Sequence, residues 1–210
     1  MDDREEPVTV SGVVDAAWER ITTWLQSHTP VTAATLRPPA PADDIHAVQD
    51  TAGRPFPDDL LVWWRLMDGV DDEADYRTAF TLPGVYMPLS VARVREEWAS
   101  LSAYPDQDCC RPDGHHRRAA GDATFGYCTA LLPVCRAVDG AVLALDLRPG
   151  PDHGCVMDWM AQASAHHTSW TSIGGMLTDT AERLDRHTTP TTPPRPGEPT
   201  VRDDGALTWT

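Results

Sequence analysis

Between residues 131 and 160 the chain alternates short apolar runs with tight turns, and no other stretch restricts the fold as much. Leu132, Val134, Ala137 and Val138 lead into Asp139-Gly140. Residues 142–147 follow, with Val142, Ala144 and Asp146 on one face and Leu143, Leu145 and Leu147 on the other. An Asp-Gly pair between apolar runs marks a hairpin, because the tight primed turn needs positive φ. Arg148-Pro149-Gly150-Pro151 turns the chain again, and residues 155–160 read as the next antiparallel strand. Three consecutive strands joined by short turns make a meander.

The rest of the chain supplies helices. Residues 56–69, FPDDLLVWWRLMDG, predict a Pro-initiated helix with an apolar stripe at Leu60, Leu61, Trp64 and Met67 and an Asp68-Gly69 stop. Asp58 and Asp59 sit where the positive end of the helix dipole favours carboxylates. Val14, Trp18, Ile21 and Leu25 recur at helical spacing and predict a helix over 13–27. After a proline-rich segment at 36–41, Ile45 and Val48 face inward on a second helix that stops at Gly53. Residues 79–89 read as two short extended segments around Pro83-Gly84. Ser90 caps a helix over 91–101 with Val91, Val94, Trp98 and Leu101 inward. Residues 106–122 form a long irregular loop. A last helix begins near Ser169 or Ser172 and carries Trp170, Ile173, Met176, Leu177, Ala181 and Leu184 inward, with Gly174-Gly175 pointing to close packing.

These elements define an α+β fold, helices packed to one side of a largely antiparallel sheet with a C-terminal meander and final helix. The expected organisation is a flexible N-terminus at 1–12, one domain at 13–187, and a Pro/Thr-rich tail at 188–210 whose residues 206–209 can dock Leu207 and Trp209 as an edge strand.

Charge narrows the partners. The formal net charge is -15 and every basic residue other than histidine is Arg, which argues against non-specific binding to nucleic acid and suits a basic protein. Five cysteines without a CxxC, and a start without basic and apolar leader regions, point to the cytoplasm. No apolar run reaches the ~18 residues of a membrane span.

Asp71, Asp72, Glu73 and Asp75 crowd one loop and must face solvent or a cation. They do not follow the order of an EF-hand. The alternatives are a solvated loop, a partner contact with Tyr76 as its anchor, and a calcium site. Catalytic motifs are missing: there is no phosphate loop, GxGxxG, GxSxG or HExxH. Cys109, Cys110, His115 and His116 are close in sequence. Adjacent pairs make poor metal pincers, so they read as a solvated loop, with no metal and no cofactor assigned. Cys128, Cys135 and Cys155 read as inert core residues, and His166-His167 as a polar lead-in to the last helix. A Cys nucleophile with His153 and Asp158 has no support in spacing. Trp18, Trp64, Trp98 and Trp170 fall on apolar helix faces, while Trp24 and Trp63 are flank positions able to line a groove.

Several segments together resemble the SUKH superfamily over about residues 14–187. They are Leu36-Arg-Pro-Pro-Ala, the helix ending at Gly53, Phe56-Pro-Asp-Asp-Leu, Trp64 with Asp68-Gly69, Met87-Pro-Leu-Ser, Leu132-Pro-Val, Asp139-Gly140, Leu145-Asp-Leu-Arg-Pro-Gly, Gly154-Cys-Val and the Ser172 helix. The resemblance implies an α+β binding domain without a catalytic centre. Bacterial members are commonly immunity proteins that neutralise a cognate polymorphic toxin, often a nuclease or deaminase. Fungal members regulate cell-wall and glucan synthesis. The chain departs from the pattern at Leu131-Leu132, where many relatives carry Trp, and at Ala141, where they carry Asn. The expected function is toxin binding through Asp71, Asp72, Glu73, Asp75 and Tyr76, with a scaffold for an endogenous protein as the alternative and an enzyme or metal protein as the third class.

Overall fold

The computed structural model describes residues 9–111, 116–161, 168–187 and 197–209. Six α-helices lie within them: α1 Val10–His28, α2 Pro30–Ala33, α3 Ala42–Ala52, α4 Asp58–Leu66, α5 Val91–Ser102 and α6 Ile173–Arg186. A main sheet has five strands, β1 Tyr86–Pro88, β2 Leu131–Ala137, β3 Val142–Asp146, β4 Val156–Trp159 and β5 Thr168–Trp170, every neighbour antiparallel and in chain order. The fold is α+β. A separate two-stranded hairpin pairs β6 Pro199–Val201 with β7 Leu207–Trp209.

Hydroxyl caps set three helix starts. The Thr9, Ser90 and Ser172 side chains accept from the amides of Gly12, Arg93 and Gly175, satisfying donors that a helix N-terminus leaves without partners. At the other end of α3, Gly53 closes the helix at φ 61. Helix α6 packs on both α1 and α4, and Asp59 in the first turn of α4 reaches across to it, accepting from the Gly174 amide at 3.0 Å. Close packing at the glycine pair is not a steric necessity: a Cβ at Gly174 would meet Val13 and Val14 at 3.6 Å, an ordinary contact.

Four expectations change. Helix α4 ends at Leu66, and Met67 is already extended, because Asp68 and Gly69 serve the next segment instead. Asp68 is buried and accepts from the Val91 amide at 2.8 Å and from Arg37 at 3.1 Å. Gly69 has φ 70, and a Cβ there would lie 2.3 Å from the Ser90 nitrogen. Trp170 sits on β5 rather than on the last helix, its indole N–H donating to Asp179 at 3.0 Å. Leu207 and Trp209 are buried, but in their own hairpin, with the Leu207 amide donating to the Thr32 hydroxyl at 2.9 Å, and not on the edge of the main sheet. Trp63 lines no groove found among the described residues, being buried with Trp18 packed edge-on at 6.3 Å, whereas Trp24, though mostly buried, lines an open groove with Glu19, Thr23 and His28.

The third strand of the sheet is covered on both sides. Every residue of β3 is buried, so both faces of the sheet are covered. Leu143 and Leu145 face the hydrophobic core shared with the helices. The opposite face, carrying Ala144 and Asp146 with Met157 and Trp159 beside them, is roofed by the irregular segment between α5 and β2. Tyr127 packs edge-on to Trp159 at 5.1 Å, and the Gly121 amide donates to Asp146 at 2.9 Å. The expected solvated loop is therefore, in part, a layer of the core.

Candidate functional site

The acidic loop leaves the core at Val70, whose amide bonds the Pro88 carbonyl at 3.1 Å, and Asp71, whose amide bonds the Thr35 carbonyl at 2.8 Å. Within the loop the carboxylates act on the backbone. Asp71 accepts from the Glu73 amide and Asp75 from the Arg77 amide, both at 3.0 Å, the latter capping a single 3-10 turn at Tyr76–Thr78. Asp71, Asp72, Glu73, Asp75 and Tyr76 are all exposed, so the loop presents its charge outward on a fixed backbone. Arginine tempers it at two points. Arg93 on α5 lies 3.8 Å from Asp72, and the Arg77 guanidinium sits over the Tyr76 ring at 5.5 Å. Arg202 of the terminal hairpin donates to the Arg77 carbonyl, tying the loop to β6–β7.

A second constellation lies in the segment that roofs the sheet. Cys109, Cys110, His116 and Cys128 place their ligand atoms within 4.8 Å of one another. Cys128 is at the centre: its Sγ is 3.4 Å from Cys109 Sγ, 3.6 Å from Cys110 Sγ and 3.4 Å from His116 Nδ1. Local backbone structure brings the adjacent cysteines to bear together. The amides of Cys109 and Cys110 both donate to the Asp106 carbonyl, and Cys110 forms a β-bridge with His116. Cys109 and Cys128 are buried, and His116 Nε2 is a buried nitrogen without a hydrogen-bond partner among the described residues. His115 and the pair His166-His167 lie outside the described residues.

The surroundings favour negative sulfur. The Thr129 amide donates to Cys110 Sγ at 3.4 Å, and Arg148 Nη1 lies 3.9 Å from Cys109 Sγ. The Cys109 thiol is drawn down to about 5 by the Cys128 thiol that donates to it, with Arg148 and His116 acting the same way against the cost of burial. Cys128 is pushed up in turn, as the proton-keeping partner of Cys109 and by burial. Arg148 is fully buried and held by Asp146, with Nη2 to Oδ2 at 2.6 Å and Nε to Oδ1 at 3.0 Å.

Sequence reasoning singled out Cys109, Cys110 and His116 but placed Cys128 in the inert core and gave Asp146, on a strand face, and Arg148, in a turn, no role at a site. Cys128 precedes β2, and its encounter with Cys109 depends on a tertiary fold-back that spacing does not encode. Cys135 and Cys155 are buried in or beside the sheet as expected. His153 turns its Nδ1 to the Arg148 carbonyl at 3.0 Å, and Asp158 bonds Tyr86, so the Cys–His153–Asp158 set is not assembled into a relay. An apolar groove of about 650 Å³ runs beside α5, lined by Thr51, Ala92, Trp98, Ser102 and Thr129. Among the described residues no helix is long and apolar enough to cross a membrane. No protein-family model matches the chain, and no curated protein matches it. Fold and sites thus define the class, an acidic α+β protein with an outward acidic loop and a Cys/His cluster in the segment that covers its sheet.

Proposed function

We propose that the chain is a non-catalytic binding domain of the SUKH type, and that it acts as a cytoplasmic immunity protein that masks a basic toxin domain of nuclease or deaminase type. The observation that carries this reading is the acidic loop, exposed at Asp71, Asp72, Glu73 and Asp75, anchored at its start to Pro88 and Thr35 and tied at Arg77 to the terminal hairpin. A loop already fixed in shape loses little conformational freedom on docking, and a net charge of -15 speeds encounter with a basic surface. Tyr76, 44% exposed, supplies apolar area beside the carboxylates.

The test is capture of partners by the tagged protein from its own host at low salt, followed by a salt gradient. A basic toxin domain that elutes as ionic strength rises, and that the triple variant Asp71→Lys/Asp72→Lys/Glu73→Lys fails to retain, supports the reading, because exposed contacts are screened over about 8 Å at physiological salt. A folded triple variant that holds the toxin as tightly as wild type removes the loop from the interface. A salt-resistant housekeeping partner in place of a toxin favours a scaffold role.

A further inference from the structure

We propose that Cys109, Cys110, His116 and Cys128 form a structural zinc site of the Cys3His type, a role independent of the toxin-binding reading. The geometry carries it. With Zn–S about 2.3 Å and Zn–N about 2.0–2.1 Å, a tetrahedral ion sets S···S edges near 3.75 Å and S···N edges near 3.55 Å. The two S···S distances from Cys128 are 3.4 and 3.6 Å, and its distance to His116 Nδ1 is 3.4 Å. The remaining edges are no longer than 4.8 Å, so closing the tetrahedron asks for movements of about an ångström or less. These separations are far from the ~2.05 Å of a disulfide.

The donor chemistry agrees. Three sulfurs and an imidazole are a soft set that selects zinc over magnesium or calcium, and four protein ligands leave no open position for substrate, which marks a structural site. Zinc bound by three thiolates and a neutral imidazole leaves a net charge of minus one on the metal and its ligands. The second layer is suited to that charge. The Thr129 amide and hydroxyl approach Cys110 Sγ at 3.4 and 3.7 Å, and the Arg148 guanidinium faces Cys109. Without a metal, three sulfurs and an imidazole converge in a half-buried space where they can offer one another only weak hydrogen bonds.

The site answers a folding problem. The segment between α5 and β2 contains no helix or strand among its described residues, yet it roofs one face of the sheet. A metal held at residues 109, 110, 116 and 128 fastens that segment to itself at both ends.

The full chain, purified under reducing conditions without chelator, is expected to carry about one zinc ion per chain by elemental mass spectrometry. Cys110→Ser and His116→Ala are expected to lose most of it, and Cys135→Ala, away from the cluster, to retain it. Should the ligand variants fail to fold, cobalt(II) added to stripped wild type decides instead. Intense visible bands of tetrahedral cobalt with thiolate charge-transfer absorption support the site. Wild type that purifies without metal and gives only the weak spectrum of hydrated cobalt overturns it. So does a stable disulfide joining Cys128 to Cys109 or Cys110 in the reducing preparation.

Discussion

Asp146 and Arg148 offer the sharpest test of how the sheet is roofed. Both side chains are fully buried, and Asp146 holds the guanidinium, the Arg148 amide at 2.9 Å and the Gly121 amide at 2.9 Å. Replacing Asp146 with Ala leaves a cation that cannot shed its proton in a site closed to water. The orphaned charge costs about 3–5 kcal/mol and each abandoned amide about 1 kcal/mol more, so the expected loss is about 5–7 kcal/mol. That is comparable with the whole stability of many domains. Arg148→Met is gentler, about 3 kcal/mol, because the carboxylate keeps its two amide donors. The double variant Asp146→Leu/Arg148→Met removes both charges and is expected to cost only about 2–3 kcal/mol, for the two amides and the Asp122 carbonyl that lose partners. The double variant should therefore be more stable than Asp146→Ala alone. Urea unfolding followed by tryptophan fluorescence measures all three, and the inversion of order is the diagnostic. A single Asp146→Ala loss below about 2 kcal/mol would refute the reasoning, since it means water reaches the guanidinium.

Three further outcomes are expected. Gly69→Ala should lose about 2–5 kcal/mol in the same assay, because a Cβ at φ 70 falls 2.3 Å from the Ser90 nitrogen and 2.4 Å from the Leu89 carbonyl carbon. Asp59→Ala should cost about 1–2 kcal/mol through the lost cap on α6, while Asp58→Ala, exposed one residue earlier, should stay within about 0.5 kcal/mol. Stability should fall in alkali. Burial holds the Cys135 thiol and the Tyr127 and Tyr86 phenols above their ordinary values, Tyr86 with help from Asp158. The folded chain therefore keeps protons that the unfolded chain releases above about pH 8.5 for the thiol and about pH 10 for the phenols, and unfolding becomes easier as pH rises through that range. A denaturation midpoint that stays flat to pH 11 would contradict it.

Local chemistry made much of this fold legible. The Asp139-Gly140 turn, the Ser90 and Ser172 caps and the Gly53 stop each act within a few residues, and each lies at an element boundary. What escaped depends on long-range approach. Asp68 looks like a helix terminator, but its carboxylate bonds the Val91 amide, and only the folded chain brings them together. Trp170 keeps helical spacing with Ile173 and Leu177, yet β4 offers a free edge on which Val156 pairs with it. The candidate sites divide in the same way. The acidic loop is visible as composition because like charges cannot be buried together, whereas the cysteine cluster requires Cys128 to fold back on residues 109–116.

That division reflects how an irregular segment can serve as a core layer. Ordering a backbone residue costs about 1–2 kcal/mol, and helices and strands offset this with repeated hydrogen bonds and a continuous apolar face. The segment before β2 has neither. Its apolar contribution is concentrated in Tyr127 and a few small side chains, Cys109, Ala120, Cys128 and Ala130. Such a layer must be fixed by strong local fasteners, and two meet there: the Asp146–Arg148 pair with its bonds to Gly121 and Asp122, and the Cys/His cluster 3.9 Å from the same guanidinium. The two fasteners share Arg148, so they should be coupled. Loss of Asp146 should weaken metal retention by the cluster as well as stability. The acidic loop, anchored instead to Thr35, Pro88 and the Arg93 helix, should be unaffected by loss of the metal. Hydrogen exchange on the metal-stripped chain, which keeps the Asp146–Arg148 pair, can check the separation. Faster exchange confined to the segment before β2 is the expected pattern, and equal loss of protection around Asp71 and Ala74 would show that the fold does not divide this way.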